Sequence, residues 1–269
     1  MMVTPRDIHA SLEAIRGSAP LIHNITNYVA MNNTANALLA LGASPVMIHA
    51  EEEVEVMAAM ASALVINIGT LSESWVRGMF KAFRRAVEMD VPVIIDPAGA
   101  GATAYRTGTV RQLIKDYRPT IIRANASEVM ALLDDGTRTK GVDSTVGSDE
   151  ALEAAQRVSR YHGCTVCATG AIDYVVNGSR VVKLFNGHPM MTRVTGFGCT
   201  ASALCAAFAA VEKDSLAAAV KAMAVMGIAG EMAAAKSAGP GSLQMHFYDV
   251  LYDLDERDIE HCLRMEEQS

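Results

Sequence analysis

The sequence predicts an α/β fold with a mainly parallel sheet covered by helices on both faces. Three observations carry this: short β-branched runs alternate with longer amphipathic stretches, the polar and glycine residues gather just after the runs, and the chain is long and apolar enough for a large core. With 269 residues, 51% of them apolar, a single domain over 1–269 is expected rather than two small ones.

The predicted strands are Pro20 to Ile25, Ser44 to Ile48, Ala63 to Ile68, Val91 to Ile95, Thr120 to Arg123 and Thr165 to Thr169. Between them helical patterns run over Tyr28 to Leu41, Glu51 to Met60, Glu73 to Met89, Thr107 to Tyr117, Ser127 to Leu133 and Asp149 to Tyr161. Then the pattern changes. Tyr174 to Val176 and Arg180 to Leu184 flank Asn177-Gly178, a dipeptide suited to both positive φ angles of a two-residue hairpin turn, which predicts an antiparallel edge ribbon. Beyond Gly198 the chain reads as nearly all helical, with Ala-rich segments around Leu204 and Met223 and a helix from Glu256 to Met265. The stretch Asp134 to Gly147 is the longest loop and is expected to be the most mobile.

A net charge of −7 without a Lys or Arg run argues against nucleic-acid or anionic-membrane partners, which need a positive footprint. Thr4-Pro5-Arg6-Asp7 reads as a helix cap rather than a signal segment, and five cysteines suggest no disulfide framework; a cytoplasmic location is expected. No long apolar stretch runs without Gly or polar interruption, and the Ala-rich region ends at Glu212, so a soluble protein is expected.

The sharpest chemical feature is Gly196-Phe197-Gly198-Cys199 leading into an Ala-rich helix. Glycines admit a ligand close to the backbone, and the free amides of a first helical turn attract an anion. Cys199 lies in that turn, where a thiolate is favoured. Cys164 and Cys167 form a CxxC, but on a strand their offset points them to opposite faces, and Cys205 and Cys262 fall on apolar helix faces; all four read as core residues. At one strand end stand Arg123, Asn125 and Glu128, a cation and a carboxylate able to serve phosphate and hydrated Mg²⁺, with Asn125 and Glu128 also spaced as a capping box. At another stands Asp96, followed by a glycine-rich loop, and at a third Thr169. Asn27 and Met47 read on spacing as an N-cap and a core filler. His23, His49, His162 and His188 show no ligand spacing, and no GxSxG elbow, Walker loop or dinucleotide fingerprint is present.

At these residues the chain resembles hydroxyethylthiazole kinases, from about Pro20 to about Ser242. The matching stretches are HNITNYV from His23, ANALLALGASPVM ending at Met47, NIGTL from Asn67, DPAGAGAT from Asp96, RANASE from Arg123, KGVDS from Lys140, ATGAIDYV from Ala168 and TGFGC from Thr195. The resemblance implies a ribokinase-like three-layer sandwich, a homotrimer with sites between subunits, and Mg²⁺-dependent transfer of the ATP γ-phosphoryl to 4-methyl-5-(2-hydroxyethyl)thiazole. It implies that Arg123, Thr169 and Gly198 contact ATP, that Asn27, Met47 and Gly196 line the thiazole region, that Asp96 and Glu128 arrange Mg²⁺, and that Cys199 stands where the wider superfamily has an aspartate base. Phe197, Ala124 and Ala98 depart from the family pattern, and Phe197 bears on the width of the anion site. The alternatives are a kinase for another small alcohol such as a hydroxymethylpyrimidine, an ATP-driven dehydratase for hydrated nicotinamide cofactors, which would place Asp at position 199, and a catalytically silent nucleotide-binding protein.

Overall fold

A computed structural model describes residues 3–133 and 148–268. The loop expected over Asp134 to Gly147, and with it the KGVDS stretch, lies outside the described residues. Helix α1 (Pro5–Ser18) opens the chain, started as expected by a capping box between Thr4 and Asp7 with Pro5 in its first turn. Then follow β1 (Leu21–Ile25), α2 (Met31–Leu41), β2 (Ser44–Val46), α3 (Val54–Met60), β3 (Ala63–Asn67), α4 (Glu73–Glu88), β4 (Val93–Asp96), α5 (Ala104–Asp116), β5 (Ile121–Asn125), α6 (Ala126–Leu132), α7 (Ser148–His162) and β6 (Thr165–Thr169). The antiparallel part comprises β7 (Asp173–Asn177) and β8 (Arg180–Leu184). After it come α8 (Phe197–Ala209), α9 (Ser215–Ala235), α10 (Pro240–Asp253), α11 (Glu256–Cys262) and β9 (Met265–Gln268).

The sheet order is β2-β1-β3-β4-β5-β6-β7-β8-β9. Its first six strands are parallel neighbours and the last three pairings are antiparallel. Strand alternation sends Ile22, Val65, Ile94, Ile121 and Cys167 into one core with α1, α2, α8, α9, α10 and α11. Ile25, Ile66, Ile95, Ile122 and Val166 go into the other, with α3 to α7. The result is the expected three-layer sandwich. Cys167 and Cys164 sit in opposite cores, as their spacing predicts, and Cys205 is fully buried. The chain runs from β1 outward to β2 and back past β1 to β3, so the winding reverses between β1 and β3. Parallel sheets open a crevice at the carboxyl ends of strands at such a point.

Three expectations need correction. The hairpin turn is one residue later than the dipeptide implies: Asn177 pairs with Arg180, and only Gly178 has a positive φ, of 63°. The Asn177 side chain is drawn inward, donating to Thr165 Oγ1 at 2.8 Å, which keeps its backbone in the ladder. The ribbon is not the sheet edge, because β9 pairs with β8 where the sequence reading continued a helix to Met265. That reading also gave no separate helix to α10, begun by Pro240. Helix α9 passes a length-and-composition test for a membrane span, but Lys221, Gly227, Gly230 and Glu231 interrupt it as the sequence reading noted, and most of it is buried inside this fold.

One buried base reports on the fold. His23, fully buried on β1, donates from Nε2 to the Ile48 carbonyl at 2.8 Å, tying β1 to the segment after β2. Burial lowers its pKa to about 4, against a smaller opposing effect of that bond. The unfolded chain therefore takes up this proton more readily than the folded one. The neutral ring's contribution is complete above about pH 6.5 and is lost as pH falls toward 4, a change of up to about 3 kcal/mol. Denaturant titrations of wild type and His23→Gln are expected to converge in stability across that window; a constant difference from pH 7 to 4 would contradict it.

Candidate active site

The candidate site lies where β1, β3, β4, β5 and β6 end and α8 begins. Gly196 adopts φ 82° as the residue before α8 and offers no capping side chain, which leaves the first-turn amides to a ligand. A Cβ on Gly198 would stand 2.8 Å from Arg123 Nη1, so only glycine lets the guanidinium lie against this turn. From β5, Arg123 reaches three partners: Nη2 donates to Thr169 Oγ1 at 2.7 Å, Nη1 is 4.0 Å from Asp96 Oδ2, and the α8 backbone packs against it. Burial works against the charge on Arg123, but Asp96 and then Glu128 hold it protonated.

Asp96 is 1% exposed and accepts from Ser202 Oγ, one turn into α8, at 2.7 Å. Burial pushes its carboxyl up to about 6; Arg123 opposes the rise and Glu128 adds to it. Glu128 makes the expected capping box: Oε2 accepts from Asn125 N–H at 2.9 Å while Asn125 Oδ1 accepts from Glu128 N–H at 2.9 Å. Its Oε1 accepts from Gly99 N–H at 2.8 Å, which ties α6 to the loop after Asp96. Capping leaves each oxygen one further lone pair, so Glu128 fits both readings given to it. No group of three or more His, Cys, Asp or Glu able to hold a metal occurs among the described residues. Two hard carboxylates beside an anion cradle suit a Mg²⁺ bound largely through water and phosphate, and the residues fit that ion.

Cys199 Sγ lies across the reversal point of the sheet, accepting from Asn27 Nδ2 at 3.1 Å and Asn67 Nδ2 at 3.3 Å. Burial and then Asp96 push its thiol up to about 11, despite both donors. This corrects the expectation that the helix start favours the thiolate: desolvation and a neighbouring carboxylate outweigh it here. Asn27 is no helix N-cap. Its Oδ1 accepts from Ala30 N–H at 3.0 Å, a turn ahead of α2, and its amide is committed to Cys199 and Asn67. Met47 is half-buried just after the edge strand β2 and joins none of these bonds.

Arg123, Thr169 and Gly198 line a cavity of about 580 Å³ together with Met191, Met223 and Met226. Its wall around Asn186 and Gly187 is latched from α9, because Glu231 accepts from Asn186 Nδ2 at 3.1 Å and from Gly187 N–H at 2.8 Å. Arg264, ahead of β9, closes the latch on Glu231, and its N–H donates to Asn186 Oδ1 at 2.8 Å. Phe197 also lines this cavity, but its ring packs on Phe247 of α10 with centroids 4.7 Å apart. Sequence reasoning missed Asn67, Ser202, Asp173 and the cavity's methionines. The first was detectable: Asn67 is a polar residue at the carboxyl end of an apolar strand, the same signal that marks Asp96. Asp173 lines the cavity and accepts from Gly170 N–H at 2.9 Å, and burial pushes its carboxyl up to about 6.

Comparison with known proteins agrees along nearly the whole chain. The model of the family described as "Hydroxyethylthiazole kinase family" matches residues 12–257. A hydroxyethylthiazole kinase of Syntrophus aciditrophicus is 59% identical over 266 residues, covering 98% of both chains. The solved hydroxyethylthiazole kinase protein of Pyrococcus horikoshii OT3 superposes with a TM-score of 0.92 at 42% identity, over 98% of this chain and 100% of that one. A ribokinase-like superfamily protein of Enterococcus faecalis V583 shares the fold alone, with a TM-score of 0.60 at 15% identity over 88% and 87% of the two chains. With the ribokinase-like sandwich and the strand-end site in place, the extent and identity of these matches make the chain a member of the hydroxyethylthiazole kinase family.

Proposed function

We propose that the protein transfers the γ-phosphoryl group of ATP to the primary alcohol of 4-methyl-5-(2-hydroxyethyl)thiazole, yielding the thiazole phosphate for thiamine biosynthesis or salvage. One observation carries the reading: Arg123 links Asp96, Thr169 and the backbone at Gly198, and the next residue of that turn is Cys199. A phosphate-binding cation, an amide cradle, two carboxylates and a candidate proton partner thus share one rim.

In this reading the triphosphate lies along Arg123, Thr169 and Gly198, with the base toward Met191, Met223 and Met226. The thiazole lies near Asn27, Met47 and Gly196. Asp96 and Glu128 would hold Mg²⁺ and its waters, and the bound ion would supply positive charge against the phosphate oxygens. The alcohol oxygen forms the new bond to the γ-phosphorus as the bond to the ADP oxygen breaks. Arg123 and the α8 amides stabilise the charge spread over the transferring group, which is the larger share of what such a reaction asks of a protein. With its pKa pushed up to about 11, Cys199 is a thiol at neutral pH and orients the hydroxyl by donating to its oxygen, while the alcohol proton leaves late, to an oxygen of the transferred phosphoryl group.

We further propose a homotrimer with the thiazole region completed across subunits. Tyr28 and Val29, next to Asn27, and Val56 and Met60 on α3 expose between 61% and 65% of their surface, an apolar face beside the site that a second subunit would cover. Cytoplasmic placement is supported by the five free thiols.

A coupled assay with ATP, Mg²⁺ and a panel of small alcohols tests the assignment. The hydroxyethylthiazole is expected to show the highest kcat/KM; a hydroxymethylpyrimidine in its place would sink the reading. Cys199→Ala is expected to lower kcat by about 10²-fold or less, as befits a helper, measured with both substrates saturating. Complete loss of turnover with both substrates still bound would reassign Cys199 as indispensable. Glu128→Gln is expected to reduce kcat more than it weakens ATP binding. An unchanged kcat with only a raised KM for ATP would remove Glu128 from the chemistry.

A further inference from the structure

Asn67 ends β3 at the point where the sheet reverses its winding, and it is 1% exposed. Its Oδ1 accepts from Asn27 Nδ2 at 2.9 Å and from Gly69 N–H at 2.9 Å. Two donors on that oxygen fix which way the carboxamide faces, since a flip would set Nδ2 against both N–H groups and leave them buried without acceptors. The amide nitrogen is thereby directed at Cys199 Sγ, 3.3 Å away. The same side chain stands beside Asp96, its partner in the β3–β4 register, and favours that carboxyl's charged form.

The sulfur is constrained in turn. Asn27 Nδ2 donates to it at 3.1 Å, so the two amides occupy its lone-pair directions and the thiol hydrogen must point a third way. Asp96 is held from the other side by Ser202 at 2.7 Å, one helical turn past Cys199. The thiol and the carboxylate therefore sit on a common frame whose shared member is Asn67.

We propose that Asn67 is a positioning residue for phosphoryl transfer, its carboxamide setting the offset between the Cys199 sulfur and the Asp96 carboxylate. This rests on the kinase reading above, in which those two groups flank the acceptor hydroxyl and the metal. A residue that only satisfies the backbone of the Asn67–Gly69 turn would affect folding, and nothing that depends on Cys199.

The test is a double-mutant cycle. Asn67→Leu is expected to lower kcat about tenfold with KM for ATP changed less than about threefold. In a Cys199→Ala background the same substitution is expected to cost less than about threefold, because its partner is gone. A second full tenfold loss there would overturn the proposal. Asn67→Asp keeps the acceptor oxygen for Asn27 and Gly69, so it preserves the turn while removing the donor. It is expected to match or exceed the loss of Asn67→Leu, and wild-type turnover from it would count equally against the idea. Alkylation of Cys199 by iodoacetamide at pH 8, without substrates, separates this from the kinase reading. Loss of the N–H donor to the sulfur is expected to slow it at least threefold in either variant. An unchanged or faster rate overturns the positioning role whatever the wild type phosphorylates, whereas slowed alkylation with no wild-type kinase activity fails the functional reading alone.

Discussion

A largely buried guanidinium is the constraint around which the rim of this protein is arranged. Removing Arg123 from water is costly unless charge and hydrogen bonds replace the lost solvent. The fold supplies a carboxylate from β4, a hydroxyl from β6 and the open backbone of α8. Each comes from a different element, so the cation can be accommodated only when the parallel strands end level and α8 starts immediately above them. That same convergence is what the proposed phosphate site is built on. A Cβ at position 198 would push the helix start and the guanidinium apart, and both stability and anion affinity would be affected together.

The sheet's parallel part and most of the site were legible because each is written locally. Strand ends carrying Asp96, Arg123 and Thr169 follow apolar runs, and Glu128 follows Asn125 at capping-box spacing. What sequence could not give was competition. Two rules apply to Cys199, a helix start favouring the charged form and burial disfavouring it, and only the packed surroundings show that burial prevails. The displaced hairpin turn has the same origin. Asn177 is a good turn residue, but Thr165 and Ser215 offer its side chain buried partners, and the turn yields one position. β9 was hidden because Met265–Gln268 carries mostly polar side chains, and its pairing with β8 draws on backbone bonds that no side-chain pattern announces.

Phe197 illustrates a family departure resolved by its surroundings. Between two glycines a large ring would seem to crowd the anion site, yet it turns toward Phe247 and joins the core beneath α10. Position 197 thereby anchors the start of α8 to a helix more than forty residues downstream. The glycine on either side stays free to face the ligand.

The latch through Glu231 and Arg264 has a temporal consequence. Arg123 and Thr169, which line the cavity, are made early, but the wall at Asn186 and Gly187 is clamped by a residue almost eighty positions later. A chain emerging from the ribosome can thus lay down its parallel strands while the pocket still lacks one side. The wall at Asn186 and Gly187 is therefore held in place only after the segment around Arg264 has been made and has docked on α9.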